Sequence, residues 1–174
     1  MDYPELGAVL VTGVYGAGKT AVVEEMAAIL ERADAPFAAI DLDWLAWANL
    51  DDHGPASERV LLANLSAVVA TFRGAGMTRF LLAGSVEGSA EVDRLAAAIG
   101  MPIATVRLTA PIEVIERRLS ADPTTGRRDD LEHARLAMAS RGGSDLGDLV
   151  VANDGPIGAV ADEILAWLGW VANG

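Results

Sequence analysis

The chain has 174 residues, 52% of them apolar, with a mean hydropathy of +0.31, which suffices for a single domain with one sizeable buried core. Twenty-five acidic side chains against thirteen basic ones give a formal charge of −12, and that field opposes non-specific binding to nucleic acid or to an anionic membrane surface. There is no cysteine, which excludes disulfides, thiolate catalysis and cysteine-bound zinc, and two histidines, His53 and His133, make no histidine-rich metal site.

From the N-terminus, the apolar run Ala8–Thr12 predicts a first strand, and Gly18–Ala33, with Val22, Val23, Met26, Ile29 and Leu30 on one stripe, predicts a helix. Pro36–Ile40 reads as a second strand, Glu58–Phe72 as a helix, Arg79–Ala83 as a third strand and Ala90–Ile99 as a helix. Ile103–Leu108 and Asp148–Ala152 complete five near-continuous apolar runs, as strands buried on both faces should be. Further helical patterns cover Ile112–Ala121, Asp129–Ala139 and Ile157–Trp170. Pro111 and Pro156 stand just before helices and Gly74 and Gly100 just past helix ends. This alternation predicts β-α units around a parallel sheet, an α/β architecture. Asn49–Ser57, Asp122–Arg128 and Arg141–Gly147, rich in Gly, Pro, Asp or Ser, are expected to be mobile loops rather than domain boundaries. The longest uncharged runs, Leu6–Gly18 and Val60–Phe72, have 13 residues each. A transmembrane span needs roughly 18. With no basic n-region at the N-terminus, the expectation is a soluble cytoplasmic chain without a membrane or nucleic-acid partner.

Gly13-Val14-Tyr15-Gly16-Ala17-Gly18-Lys19-Thr20 matches the pattern G-x-x-x-x-G-K-[ST] without a gap, between a predicted strand and an amphipathic helix, which is the context that the motif requires. Glycines let successive backbone N–H groups turn inward around a phosphate, and the helix N-terminus adds partial positive charge. Gly13, Tyr15, Gly16, Ala17, Gly18, Lys19, Thr20 and Ala21 are therefore expected to line a nucleotide site, with Lys19 reaching the phosphate oxygens and the Thr20 hydroxyl facing Mg²⁺. Composition strengthens this reading: twelve of the thirteen cationic side chains are Arg, and the single Lys falls where the motif demands it. That lone Lys also excludes an Asn-Lys-x-Asp base-recognition box, so ATP is favoured over GTP.

The second strand runs out through Asp41-Leu42-Asp43-Trp44, placing two carboxylates at the C-terminal edge of the sheet, where open α/β sheets bind ligands. The third strand leads into Gly84-Ser85 and lacks a terminal acid, so metal and base work falls to Asp41 and Asp43. A helix N-cap is the structural alternative for one of them.

These features, with Val106-Arg107-Leu108-Thr109-Ala110-Pro111-Ile112-Glu113-Val114-Ile115-Glu116-Arg117-Arg118-Leu119 and Asn153-Asp154-Gly155-Pro156 after the last strand, make the chain resemble the small-molecule P-loop kinases: shikimate kinase, adenylylsulfate kinase and chloramphenicol phosphotransferase. The resemblance implies a three-layer P-loop NTPase fold, one domain over 1–174, with five parallel strands in the order 2-3-1-4-5 and helices on both faces. It also implies transfer of the γ-phosphate of ATP, with Mg²⁺, to a hydroxyl of a small molecule. Asp43 then matches the acceptor-side base and Asp41 the metal-proximal carboxylate. Arg118 would stack on adenine, and Asn153 and Pro156 would flank it. A lid over residues 121–130 would bring Arg127 or Arg128 onto the phosphates, although both precede Asp129 and Asp130 at a helix start and are equally placed for exposed ion pairs.

For the acceptor, Trp44 and Trp47 stand one helical turn apart, which suits a core stripe or a stacking platform. Asn49, Asp51, Asp52, His53, Arg59, Gly84, Ser85 and Glu87 are further candidates around it. The glycine-rich shikimate segment, the Gly-Asp-x-x-Arg segment of adenylylsulfate kinases and the Asp-Gly-x-Pro-Arg segment of nucleoside monophosphate kinases are all missing, which lowers the weight of those three substrates. Alternatives are a nucleotide-binding regulatory module with weak ATPase activity, or a nucleotide kinase.

Overall fold

Apolar runs with β-branched residues can satisfy their backbone only by pairing with one another, and here they do so in one sheet. The computed structural model describes residues 7–50, 54–120, 132, 134–136 and 146–171. Chain order is β1 (Gly7–Thr12), α1 (Lys19–Arg32), β2 (Phe37–Asp41), α2 (Leu42–Ala46), α3 (Pro55–Gly74), β3 (Arg79–Ala83), α4 (Ser89–Ile99), β4 (Ile103–Thr109), α5 (Ile112–Ser120), β5 (Leu149–Ala152) and α6 (Ile157–Leu168). All pairings are parallel and the strand order is β2-β3-β1-β4-β5. This is the three-layer arrangement, with strand order 2-3-1-4-5, that the resemblance to P-loop kinases implies.

The two-residue period of β1 splits the core. Val9 and Val11 join Leu81, Val106, Leu108 and Val151 beneath α1 and α6, which contribute Val22, Met26, Leu30, Val160, Ile164 and Leu165. Ala8 and Leu10 join Ile40, Phe80 and Leu82 beneath Leu65 and Val69 of α3 and Leu95 and Ile99 of α4. Register places Leu10 beside Leu82 on β3, so large side chains meet across central strands on both faces. Phe80 and Leu82 are fully buried, and truncating such a residue to Ala costs ~2–5 kcal/mol. A smaller third cluster, Ile115, Leu119 and Ala134, packs against Val14 and Tyr15 and seats α5 on the Gly-rich loop.

β1 lies between β3 and β4, with chain excursions leaving it in opposite directions, so the loop after Thr12 opens at the C-terminal edge of the sheet where the order reverses. A cleft of about 850 Å³ lies at the far edge, between Ile29, Pro36, Thr78 and Trp170, away from that loop.

Apart from end shifts of one or two residues elsewhere, boundaries differ from expectation in three places. α3 starts at Pro55 rather than Glu58, because Gly54 is extended and Pro55 fits the first helical turn, where it lacks no needed N–H. The same helix takes in Gly74, expected just beyond its end. A short helix, α2, forms directly after β2, outside the predicted helical segments but as the N-cap alternative for the two carboxylates implies. Residues 121–130, where a lid is expected, and with them Arg127 and Arg128, lie outside the described residues, as do Asp51, Asp52 and His53. No helix among the described residues is long and apolar enough to cross a membrane.

Candidate phosphate and metal site

The loop from Gly13 to Gly18 links β1 to α1, and its last residue has φ 96°. A Cβ at Gly18 would lie 2.5 Å from Asn153 Nδ2, so both the backbone angle and the close approach demand glycine. Lys19 opens α1 and is 9% exposed. Its Nζ donates to the Gly13 carbonyl at 3.0 Å and to the Val14 carbonyl at 3.4 Å, and stands 5.2 Å from the centroid of the Tyr15 ring. The ammonium is thus folded across the mouth of the loop by carbonyls and a π face.

Thr20, next in the helix, donates its Oγ1 hydrogen to Asp41 Oδ2 at 3.2 Å. Asp41 Oδ1 accepts from the Asp43 backbone N–H at 3.0 Å, which makes Asp41 the N-cap of α2. One carboxylate therefore ties the start of α1 to the start of α2. The N-cap alternative applies to Asp41 while that residue also faces Thr20. Among the described residues no three His, Asp or Glu cluster as a metal nest. A hydroxyl and one carboxylate are nevertheless a donor set that suits Mg²⁺, a hard ion that keeps several waters and takes phosphate oxygens for the rest. The residues present fit the ion.

α2 exists because Asp41 caps it and Leu42 anchors it. Leu42 is buried against Gly84, where an added Cβ would lie 2.8 Å from Leu42 Cδ1. The chain leaving β3 thus offers a bare backbone to α2. Leu45 packs on the same core, and Asn64 Nδ2 holds the Leu45 carbonyl at 2.7 Å. With Leu42 and Leu45 inward, the 3.6-residue period turns Asp43, Trp44 and Trp47 outward together. The tryptophans are 68% and 73% exposed, with ring centroids 4.6 Å apart and planes tilted at 43°. They form a surface platform, not a core stripe, and they share a face with Asp43.

Around this edge, Ser85 Oγ donates to the Gly13 carbonyl at 3.4 Å. The Glu87 N–H donates to Glu91 Oε2 at 2.9 Å, which makes it a helix-start contact. Arg59 and Asn49 are exposed. Behind the loop, Asn153 is 2% exposed and its Nδ2 donates to the Ala17 carbonyl at 2.8 Å. Arg118 reaches the Ala17 carbonyl at 3.2 Å and the Asn153 carbonyl at 2.9 Å. What both side chains touch is therefore the loop itself, a bracing that local spacing does not reveal. Pro156 is exposed and caps α6. Ala21 is exposed on the first turn of α1.

No family model and no curated protein matches the sequence. Solved structures do match over nearly the whole chain. The tunicamycin resistance protein of Deinococcus radiodurans is 18% identical, with TM-score 0.64, over 94% of this chain and 96% of that one. The fold is shared with small-molecule P-loop kinases. The APS kinase of Mycobacterium tuberculosis, solved in complex with AMPPNP and APS, is 21% identical with TM-score 0.62, over 95% of this chain and 99% of that one. The shikimate kinase of Bacteroides thetaiotaomicron is 17% identical with TM-score 0.62, over 94% and 98%.

Proposed function

We propose that the chain is an ATP- and Mg²⁺-dependent phosphotransferase that moves a γ-phosphoryl group to a hydroxyl of a small molecule. The observation that carries this reading is the link from Thr20, at the end of an unbroken phosphate-loop motif, to Asp41, with Asp43 two residues further on the same exposed edge. Loop amides and Lys19 hold the phosphates, since the N-terminus of α1 and the ammonium supply opposite charge at close range. Thr20 and Asp41 hold the metal, which when bound neutralises charge on the phosphate oxygens. Asp43 orients the acceptor hydroxyl and takes its proton as the acceptor oxygen bonds to the γ-phosphorus and the bond to the β-bridging oxygen breaks, leaving ADP. Arg127 or Arg128 closes from the lid over the transferring group.

The acceptor in this reading is a small alcohol with a flat or apolar face that lies on Trp44 and Trp47. Antibiotic-like and sugar-like alcohols fit that description. The full-length chain with MgATP, screened against small alcohols and nucleoside monophosphates for acceptor-stimulated ADP release, tests the reading. At least one alcohol is expected to raise ADP release well above the slow hydrolysis seen without acceptor. Stimulation by monophosphates alone would make the protein a nucleotide kinase. A rate indifferent to every acceptor and raised by a protein partner would make it a regulatory module.

A further inference from the structure

A phosphate-binding loop works only if its peptide N–H groups face inward when the anion arrives. Glycine, which gives the loop its shape, also lets peptide units rotate cheaply. The Ala17–Gly18 peptide is the exposed case, since Gly18 at φ 96° can take up the rotation of the unit before it. The oxygen of that peptide is gripped from outside by two residues distant in sequence. Asn153 Nδ2 donates to the Ala17 carbonyl at 2.8 Å and Arg118 Nη1 to the same oxygen at 3.2 Å. Arg118 Nη1 also reaches the Gly16 carbonyl at 3.4 Å, and Nη2 closes the arrangement on the Asn153 carbonyl at 2.9 Å. Asn153 is in turn fixed by its own N–H on the Thr109 carbonyl at 2.7 Å. A buried amide and a planar guanidinium fork are rigid donors, so the oxygen has one place to go.

In a trans peptide the N–H points opposite to the C=O. With the Ala17 oxygen held against Asn153 and Arg118, the Gly18 N–H is turned away from them. We infer that Asn153 and Arg118 are positioning residues that set the anion-binding geometry of the loop by clamping the Ala17–Gly18 peptide. The inference rests on the nucleotide-binding reading above and deepens it. It also gives these two residues work on the triphosphate end of the ligand instead of the adenine end. Because Arg118 lies on α5, which is seated on Val14 and Tyr15 by Ile115 and Leu119, the clamp joins α5 directly to the phosphate loop.

Binding of MgATP and of inorganic tripolyphosphate to the full chain separates the two roles, because tripolyphosphate has no base to stack. Asn153→Ala and Arg118→Met are each expected to weaken the two ligands by the same factor, about tenfold for the one hydrogen bond to an oriented carbonyl lost in Asn153→Ala and at least that for Arg118→Met, which also gives up the Gly16 and Asn153 carbonyls. Arg118→Lys, with a single ammonium in place of a fork, is expected to recover part of that loss for both ligands. A loss confined to ATP, with tripolyphosphate binding unchanged, would place the residues on adenine and overturn the inference, as would unchanged binding of both ligands. Asn153 is buried, so circular dichroism melts accompany the titrations. If Asn153→Ala does not fold, the half-buried Arg118→Met variant carries the test alone. A wild-type chain that binds neither ligand overturns the nucleotide reading and the clamp with it, whereas wild-type binding with unaffected variants overturns the clamp only.

Discussion

Asp41 does two jobs whose energetic consequences separate cleanly. As the N-cap of α2 it accepts from the Asp43 N–H at 3.0 Å, and as a charged group it accepts from the Thr20 hydroxyl at 3.2 Å at the proposed metal position. Asp41→Asn keeps a side-chain oxygen for the cap, and Asn caps as well as Asp. Its amide can donate to the Thr20 oxygen, so the local geometry survives and only the negative charge is lost. Asp41→Ala removes both. Losing the cap costs ~1 kcal/mol, and a domain of this size loses about 2–4 °C in Tm per kcal/mol. The Asn variant is therefore expected to melt with wild type, and the Ala variant a few degrees lower. In turnover the two should look alike, because both lack the carboxylate charge: kcat falls about 10–100-fold and the Mg²⁺ midpoint rises, as for loss of a group supporting a bound metal. The assay is ADP release with saturating acceptor across a Mg²⁺ titration, alongside thermal melts of all three proteins. An Asn variant with wild-type kcat and wild-type Mg²⁺ midpoint would refute the metal role and leave Asp41 a cap only.

Three further outcomes are expected. Lys19→Met should keep the fold while MgATP affinity falls by at least about tenfold, the lower end of a ~1.5–3 kcal/mol charge-assisted bond, as read by isothermal titration. Trp44→Ala and Trp47→Ala remove exposed rings, so Tm should barely move, whereas KM for the acceptor should rise about three- to tenfold with KM for ATP unchanged. An unchanged acceptor KM in both variants would remove the platform from the site. Gly84→Ala forces Leu42 away from a Cβ at 2.8 Å, at a cost of about 1–3 kcal/mol. By shifting α2 it should lower kcat more than it lowers ATP affinity, in steady-state kinetics set beside direct nucleotide binding.

The central strands were legible because burial on both faces writes long apolar runs, and Val9, Leu10, Leu81, Leu82 and Val106 carry that signal without ambiguity. The phosphate loop was legible because its glycines and Lys19 are required by backbone shape and charge within eight residues. α2 was not, since five residues span too little of a 3.6-residue period to show amphipathicity, and its two apolar anchors, Leu42 and Leu45, alternate with Trp44 in a way that also suits a core stripe. The placement of the tryptophans depended on that missed helix. The grip of Arg118 and Asn153 on Ala17 was illegible for another reason: it joins residues more than a hundred positions apart, and no local pattern encodes a contact of that range.

The field of the protein and the chemistry of its site point in opposite directions, and the kinetics of ligand capture should show it. The net charge is −12, while the cationic side chains that touch the loop among the described residues, Lys19 and Arg118, are engaged with loop carbonyls. Attraction for a triphosphate thus comes from amide N–H groups and a helix end, effective over a few ångströms, and from these two cations, whose charge is outweighed at longer range by the net −12. Repulsion acts over a Debye length, about 30 Å at 0.01 M salt and about 10 Å at 0.1 M. Between those salt concentrations most of the acidic surface stops acting on an approaching nucleotide, whereas contacts made inside the loop are screened far less. Stopped-flow association of a fluorescent ATP analogue with Mg²⁺ should therefore accelerate as salt is raised, the reverse of an electrostatically steered site. An association rate that falls with salt would mean that cationic groups project a field beyond the loop, and Arg127 and Arg128, expected near the phosphates, would then be the residues to remove.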